Sequence, residues 1–108
     1  MNTPVALTIF NNPDAVRRVF ARIREAKPGK LFLISDAGRT PEEIELVRQS
    51  RTIAEAVDWE CEVFKRYPDK NLGARLGVSS GISWVFEHVD CAIILEHDCL
   101  PDPTFFTL

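Results

Sequence analysis

The stretch AIILEHDCLPDP, Ala92–Pro103, holds the side chains of this chain whose types and spacing best suit chemistry. An apolar run ends in Glu96-His97-Asp98, and a turn with two prolines follows. In an extended chain, residues two apart point the same way, so Glu96 and Asp98 share a face and His97 points opposite. Two carboxylates converging at a strand end repel one another unless a cation or a hydrogen-bond donor joins them. A hard divalent cation, Mg²⁺ or Mn²⁺, suits carboxylate oxygens and can hold diphosphate oxygens too. Taken alone, the triplet also fits a plainer role, in which the acids meet solvent or cap the next turn. A lone histidine such as His97 is more often a bystander than a ligand.

Elements that could position such a strand end recur along the chain. Val5–Phe10 (VALTIF) is β-branched, apolar and short, as a buried strand is. Asn12 and Pro13 then supply an N-cap and a first helical residue. Val16, Val19, Phe20 and Ile23 follow at helical spacing, with arginines on the other face. The helix stops near Lys27–Lys30, and Leu31–Ser35 reads as a second buried strand ending at Asp36. Thr40-Pro41-Glu42-Glu43 predicts a capping box, with Thr40 and Glu43 reciprocally satisfying backbone donors. Ile44, Val47, Ala54 and Val57 mark the buried stripe of that second helix.

Trp59–Tyr67 predicts a third strand, with Cys61 and Val63 on one face. A helix from Leu72 to about His88 has Val78, Ile82, Val85 and Phe86 as its apolar stripe. Gly73, Gly77 and Gly81 recur within it every four residues. Each costs roughly 1 kcal/mol against alanine inside a helix, so the row implies close approach to a sheet or a ligand. Cys91–Leu95 is the fourth strand.

The order β-α-β-α-β-α-β predicts an α/β fold, a parallel sheet sandwiched by helices on both faces. In such sheets ligands sit beyond the carboxyl ends of the strands. Four ends are therefore candidates: Asn11-Asn12, Asp36, Arg66 to Asn71, and Glu96-His97-Asp98. Neither GxGxxG after the first strand nor GxxxxGK[ST] anywhere is present, which argues against a dinucleotide fold and a P-loop NTPase. A phospho-acceptor receiver built on Asp36 needs an acidic pair where this chain has Asn11-Asn12.

The 108 residues suit one small domain, with no linker that would mark a boundary. A net charge of -3 with scattered basic residues leaves no footprint for nucleic acid. Cys61, Cys91 and Cys99 match no zinc spacing and read as small buried hydrophobes in a reducing compartment. No apolar run approaches the ~18 residues of a membrane span. The start, MNTPVALTIFNNP, lacks the marks of a signal peptide, so the expected location is cytoplasmic.

Taken in order, FNNPD, LISDAGRTPEE and NLGARLGVSSGISWVFE lead into SSGISWVFEHVDCAIILEHDCLPDPTFF. Together they resemble GT-A-type glycosyltransferases, the nucleotide-diphospho-sugar transferases, over essentially the whole chain. The nearest resemblance is to the N-acetylglucosaminyltransferase type, in which a Glu-Asp-Asp triplet follows a buried strand. The resemblance implies a GT-A/Rossmann-like nucleotide-binding half, truncated after its donor site. It implies a nucleotide contact through Phe10, Asn11, Asp36, Asn71, Gly73, Arg75 and Glu96, and metal ligation by Asp98 with Mn²⁺ or Mg²⁺. The implied partner is a nucleotide-diphospho-sugar, most simply a UDP-sugar, with an unknown acceptor and a catalytic base beyond residue 108. The chain departs from the pattern at Asn12, where the family often has arginine, and at His97, where it has a middle aspartate. An incomplete domain of this kind is expected to be marginally stable or to self-associate through apolar residues such as Phe105 and Phe106. The alternative is a non-catalytic α/β module that binds nucleotide or a protein partner, a degenerate relative of the family.

Overall fold

The structure is a computed structural model whose described residues are 3–96. The expectations for His97, Asp98, Cys99, Phe105 and Phe106 lie outside them. The elements are β1 (Val5–Ile9), α1 (Pro13–Ala26), β2 (Lys30–Ser35), α2 (Pro41–Ala54), β3 (Glu62–Arg66), α3 (Ala74–Phe86) and β4 (Ile93–Glu96). The strands form one all-parallel sheet in the order β3-β2-β1-β4.

Strand order dictates where the helices lie. The steps from β1 to β2 and from β2 to β3 run in one direction, so right-handed crossovers place α1 and α2 on the same face. The step from β3 to β4 returns across the sheet, so α3 lands on the opposite face. Packing agrees: α1 lies against α2, whereas α3 lies over β2 and β1.

The sheet divides by residue parity, as a pleat requires. Val5, Leu7 and Ile9 of β1, with Leu31 and Leu33 of β2 and Ile93 and Leu95 of β4, meet Val16, Val19, Phe20 and Ile23 of α1. Ala6, Phe32 and Ile34 face the other way, toward Val85 and the half-buried Trp84 of α3. All five β1 residues are buried, because helices cover both of its faces.

Local chemistry sets the helix ends. The Asn12 side chain accepts the Ala15 N–H at 3.1 Å and starts α1. Its end is Lys27, in the left-handed region at φ 50°, with its N–H on the Ile23 carbonyl at 2.9 Å. Thr40 accepts the Glu43 N–H at 3.1 Å and starts α2. The reciprocal half of the expected capping box does not form. Glu43 instead accepts the backbone N–H of Arg39, at 2.8 Å, because the Arg39 side chain draws its carboxylate away from Thr40.

Several expected core positions differ. Ile44 is exposed, and Val47, Ser50 and Ala54 are the buried residues of α2. Ser50 is accommodated because its hydroxyl donates to the Leu46 carbonyl at 2.9 Å. Phe86 is also exposed, and Gly81 is buried in its place, because α3 sits so close to the sheet that its contact face is narrow. Cys91 is exposed, since it precedes β4, while Cys61 is half-buried against the α1/α2 side. Among the described residues no helix is long and apolar enough to cross a membrane.

Candidate functional site

A reversal of strand order between β1 and β4 opens a crevice at their carboxyl ends, the position where ligands bind in doubly wound sheets. A cleft of about 320 Å³ lies there. Thr8, Ile9 and Phe10 from β1 and its exit form one wall, and Ile34 and Asp36 form the next. Glu96 closes the β4 side, and Gly73, Gly77 and Val78 of the α3 start close the top. Thr8 and Glu96 are register partners, so they stand side by side on the α3 face. The Thr8 hydroxyl, nearly buried, donates to the Leu95 carbonyl at 3.4 Å.

Asp36 is held by the fold. Its Oδ1 accepts the Ala37 N–H at 2.9 Å, and both its oxygens accept the Leu72 N–H, at 2.9 and 3.1 Å. Asn71 adds a second tie, donating to the Ala37 carbonyl at 2.8 Å and accepting the Gly73 N–H at 2.9 Å. The β2 exit and the α3 entry are thus stitched into one wall of the cleft.

Gly73 sits at φ 86° and ψ 150°, backbone that side-chain-bearing residues rarely adopt, and this turns the chain into α3. A Cβ on Gly77 would stand 3.3 Å from Asp36 Oδ2, and one on Gly81 would stand 2.5 Å from Ile34 Cγ2. The glycine row therefore brings α3 down onto β2 and its exit.

The rim opposite α3 is ionic. Arg39 grips Glu43 with two side-chain bonds, at 3.0 and 3.2 Å, and Asn11 donates to the same carboxylate at 3.3 Å. The Arg39 guanidinium also lies 5.9 Å from the centre of the Phe10 ring. The bonds from Arg39, side chain first and then backbone, hold the Glu43 carboxyl below its ordinary value, and Asn11 adds a smaller contribution. The same pairing raises Arg39.

Of the expected nucleotide contacts, the fold brings Phe10, Asp36, Asn71, Gly73 and Glu96 together around the cleft. Asn11 is directed to Glu43 on the rim. Arg75 is exposed on the first turn of α3, outside the cleft lining. Thr8, Ile9, Ile34, Arg39 and Val78 line the cleft without having been anticipated there, and Gly77 was foreseen only as part of the glycine row. Thr8 was the more legible, as the one polar residue in VALTIF and two residues from Phe10 on the same face. Asp98 lies outside the described residues.

Chemically, the cleft combines mainly apolar walls with one carboxylate on the β2 side, Asp36, another on the β4 side, Glu96, and the Arg39–Glu43 ion pair at its rim. Among the described residues its lining has no histidine, lysine or cysteine, and no group of three metal-binding side chains is assembled. Asp36 already accepts two backbone donors, whereas Glu96 has no hydrogen bond or ion pair among the described residues. A Mg²⁺-like ion held by one or two carboxylates and the ligand's own phosphates fits such a donor set; a cage made of protein alone does not. No family model matches this chain, and neither does any curated protein or solved structure.

Proposed function

We propose that this chain is the donor-binding half of a metal-dependent glycosyltransferase, taking a nucleotide-diphospho-sugar whose sugar passes to an acceptor. The observation that carries the reading is the cleft between the carboxyl ends of β1 and β4, with Glu96 at its β4 wall. The resemblance of AIILEHDCLP to the metal-binding strand end of that family supports the same position. In this reading the apolar walls at Ile9, Phe10, Ile34 and Val78 cover the nucleoside. The stitched wall of Asp36 and Asn71 keeps the α3 entry fixed against it, so little ordering is needed on binding. Glu96, with Asp98, would hold Mn²⁺ or Mg²⁺, and the ion would supply positive charge to offset that of the diphosphate leaving group.

A thermal-shift titration with uridine diphosphate, with and without Mn²⁺, tests this. The expected outcome is a stabilisation that needs both components and is lost in Asp98→Ala. A chain that shows no shift with any nucleoside diphosphate, with either ion, rules the reading out. Stabilisation by nucleotide that is indifferent to metal and to Asp98 identifies a non-catalytic binding module instead.

A further inference from the structure

The geometry points to Arg51, on the face of the sheet opposite the cleft, as the positioning residue that fixes the cleft's Asp36 wall. Arg51 lies on α2, and its guanidinium reaches the carboxyl end of β2 from behind. Its Nε donates to the Ser35 hydroxyl at 2.8 Å, and one terminal nitrogen donates to the Ser35 and Asp36 carbonyls at 3.2 and 3.1 Å. These carbonyls sit where β2 runs out of ladder, since Ser35 pairs with Ile9 and the pairing with β3 ends at Ile34. The guanidinium carbon Cζ lies over the Tyr67 ring, 4.2 Å from its centre, and Tyr67 is itself tied to Glu55 at 2.9 Å. A planar fork that is stacked and bonded in this way has little freedom to move.

The consequence reaches the cleft through one peptide. The Asp36 carbonyl is held from the α2 side by Arg51, while the Asp36 carboxylate holds the Leu72 N–H on the α3 side. Rotating the Asp36–Ala37 peptide to release the carbonyl turns the Ala37 N–H away from the Asp36 carboxylate, which then loses one of the bonds that orient it toward Leu72, and this loosens the turn at Asn71 and Gly73. Among the described residues, Arg51 makes no hydrogen bond to the cleft lining other than the one to the Asp36 carbonyl. Its action is therefore indirect, through the orientation of Asp36. Its effect on ligand affinity rests on the nucleotide reading above; its effect on the wall does not.

The test uses the full chain and the variants Arg51→Met, Arg51→Lys and Tyr67→Phe. Hydrogen exchange of the Ala37, Leu72 and Gly73 amides, against Leu7 and Leu33 in the central strands, reads the wall directly. Loss of a charged hydrogen bond predicts exchange faster by about tenfold or more at the three wall amides in Arg51→Met, with the strand amides unchanged. Arg51→Lys, which keeps the charge but not the fork, gives a smaller acceleration and decides the matter if Arg51→Met does not fold. Tyr67→Phe keeps the ring under the guanidinium and leaves the wall amides unchanged. Unaltered wall exchange, or acceleration shared equally by Leu7 and Leu33, overturns the proposal.

Affinity for uridine diphosphate with Mn²⁺, measured well below the melting temperature, gives the second readout. Weaker binding in step with faster wall exchange supports the coupling, and unchanged binding overturns it. If the unaltered protein binds no nucleotide, the nucleotide reading fails and the exchange data alone judge Arg51.

Discussion

Asp36 and Leu72 are 36 positions apart in the chain, yet both carboxylate oxygens of Asp36 accept the Leu72 N–H, at 2.9 and 3.1 Å. This pairing joins the exit of β2 to the entry of α3 and makes one wall of the cleft. It also gives Asp36 a structural role, since its oxygens accept N–H groups of the protein's own backbone.

Asp36→Ala is therefore expected to destabilise the fold. Two backbone donors, on Ala37 and Leu72, lose a charged acceptor. The expected loss is about 2 kcal/mol, or a fall in Tm of about 10 °C for a domain of this size. Asp36→Asn, which keeps one carbonyl oxygen, should lose less. Urea denaturation checks both, and an Asp36→Ala midpoint equal to that of the unaltered protein would count against a structural role for the carboxylate.

Gly81 and Gly29 should respond oppositely to alanine. At Gly81 the new methyl would lie 2.5 Å from Ile34 Cγ2 and 3.0 Å from its Cδ1. Ile34 is buried and β-branched, so it cannot swing away freely. Overpacking of this kind costs about 1–3 kcal/mol, against roughly 1 kcal/mol gained from helix propensity, so a net loss is expected. At Gly29 nothing lies within 4 Å and the backbone is not left-handed, so alanine there should be neutral or slightly stabilising. A double-mutant cycle sharpens the claim: in an Ile34→Ala background the penalty at Gly81 should vanish.

Two carboxylates of α2, Glu43 and Glu45, give the fold an acid-sensitive component. Glu43 is held below its ordinary value by Arg39, and Glu45 is held down to about 2, mainly by its bond to Arg48. A lowered folded-state value means that stability is fully present above the unfolded value of 4.5 and is lost as pH falls through the folded value. Melting temperature should thus fall between about pH 4.5 and pH 2 for Glu45, with Glu43 titrating below its ordinary value in the same direction. The difference between the unaltered protein and a Glu43→Gln, Glu45→Gln double variant should be visible at pH 7 and disappear near pH 2. High salt should shrink it, since both pairs are solvent-accessible at the arginine. A difference that persists undiminished at pH 2 would show that the substitutions act other than through charge.

How legible these features were follows from the range of the interactions involved. Asn12, Thr40 and the continuous apolar strands act within a few residues, and the caps and the α/β order were readable from the sequence. The Glu43 partner was not, because Thr40 and Arg39 compete for one carboxylate and a bidentate charged bond wins over a single neutral one. Ile44 sits at the right helical spacing for the core, but α2 turns its Val47–Ser50–Ala54 side inward instead. Asp36 was readable as a strand end, but its bonding, like that of Arg51, was beyond local reading. Their partners, Leu72 and the β2 carbonyls, are brought near only by the crossover of α3 and the packing of α2. The glycine row signalled a close approach, and the contacts at Ile34 and Asp36 show to what.

Glu96 gives the most direct test of the cleft's chemistry. It is exposed, at the last position of β4, with no hydrogen bond or ion pair among the described residues. Glu96→Gln preserves shape and removes only charge, so folding stability should change by less than about 0.5 kcal/mol. If Glu96 helps to hold a cation against a diphosphate, Mn²⁺-dependent affinity for uridine diphosphate should fall by about tenfold or more, as changes around metal ligands typically do. Metal-free affinity should change little or rise, because a negative charge facing the phosphates has gone. Isothermal titration at several Mn²⁺ concentrations separates the two. Equal losses with and without metal would place Glu96 on the ribose hydroxyls rather than on the ion, and no loss in either would remove it from the binding of this ligand.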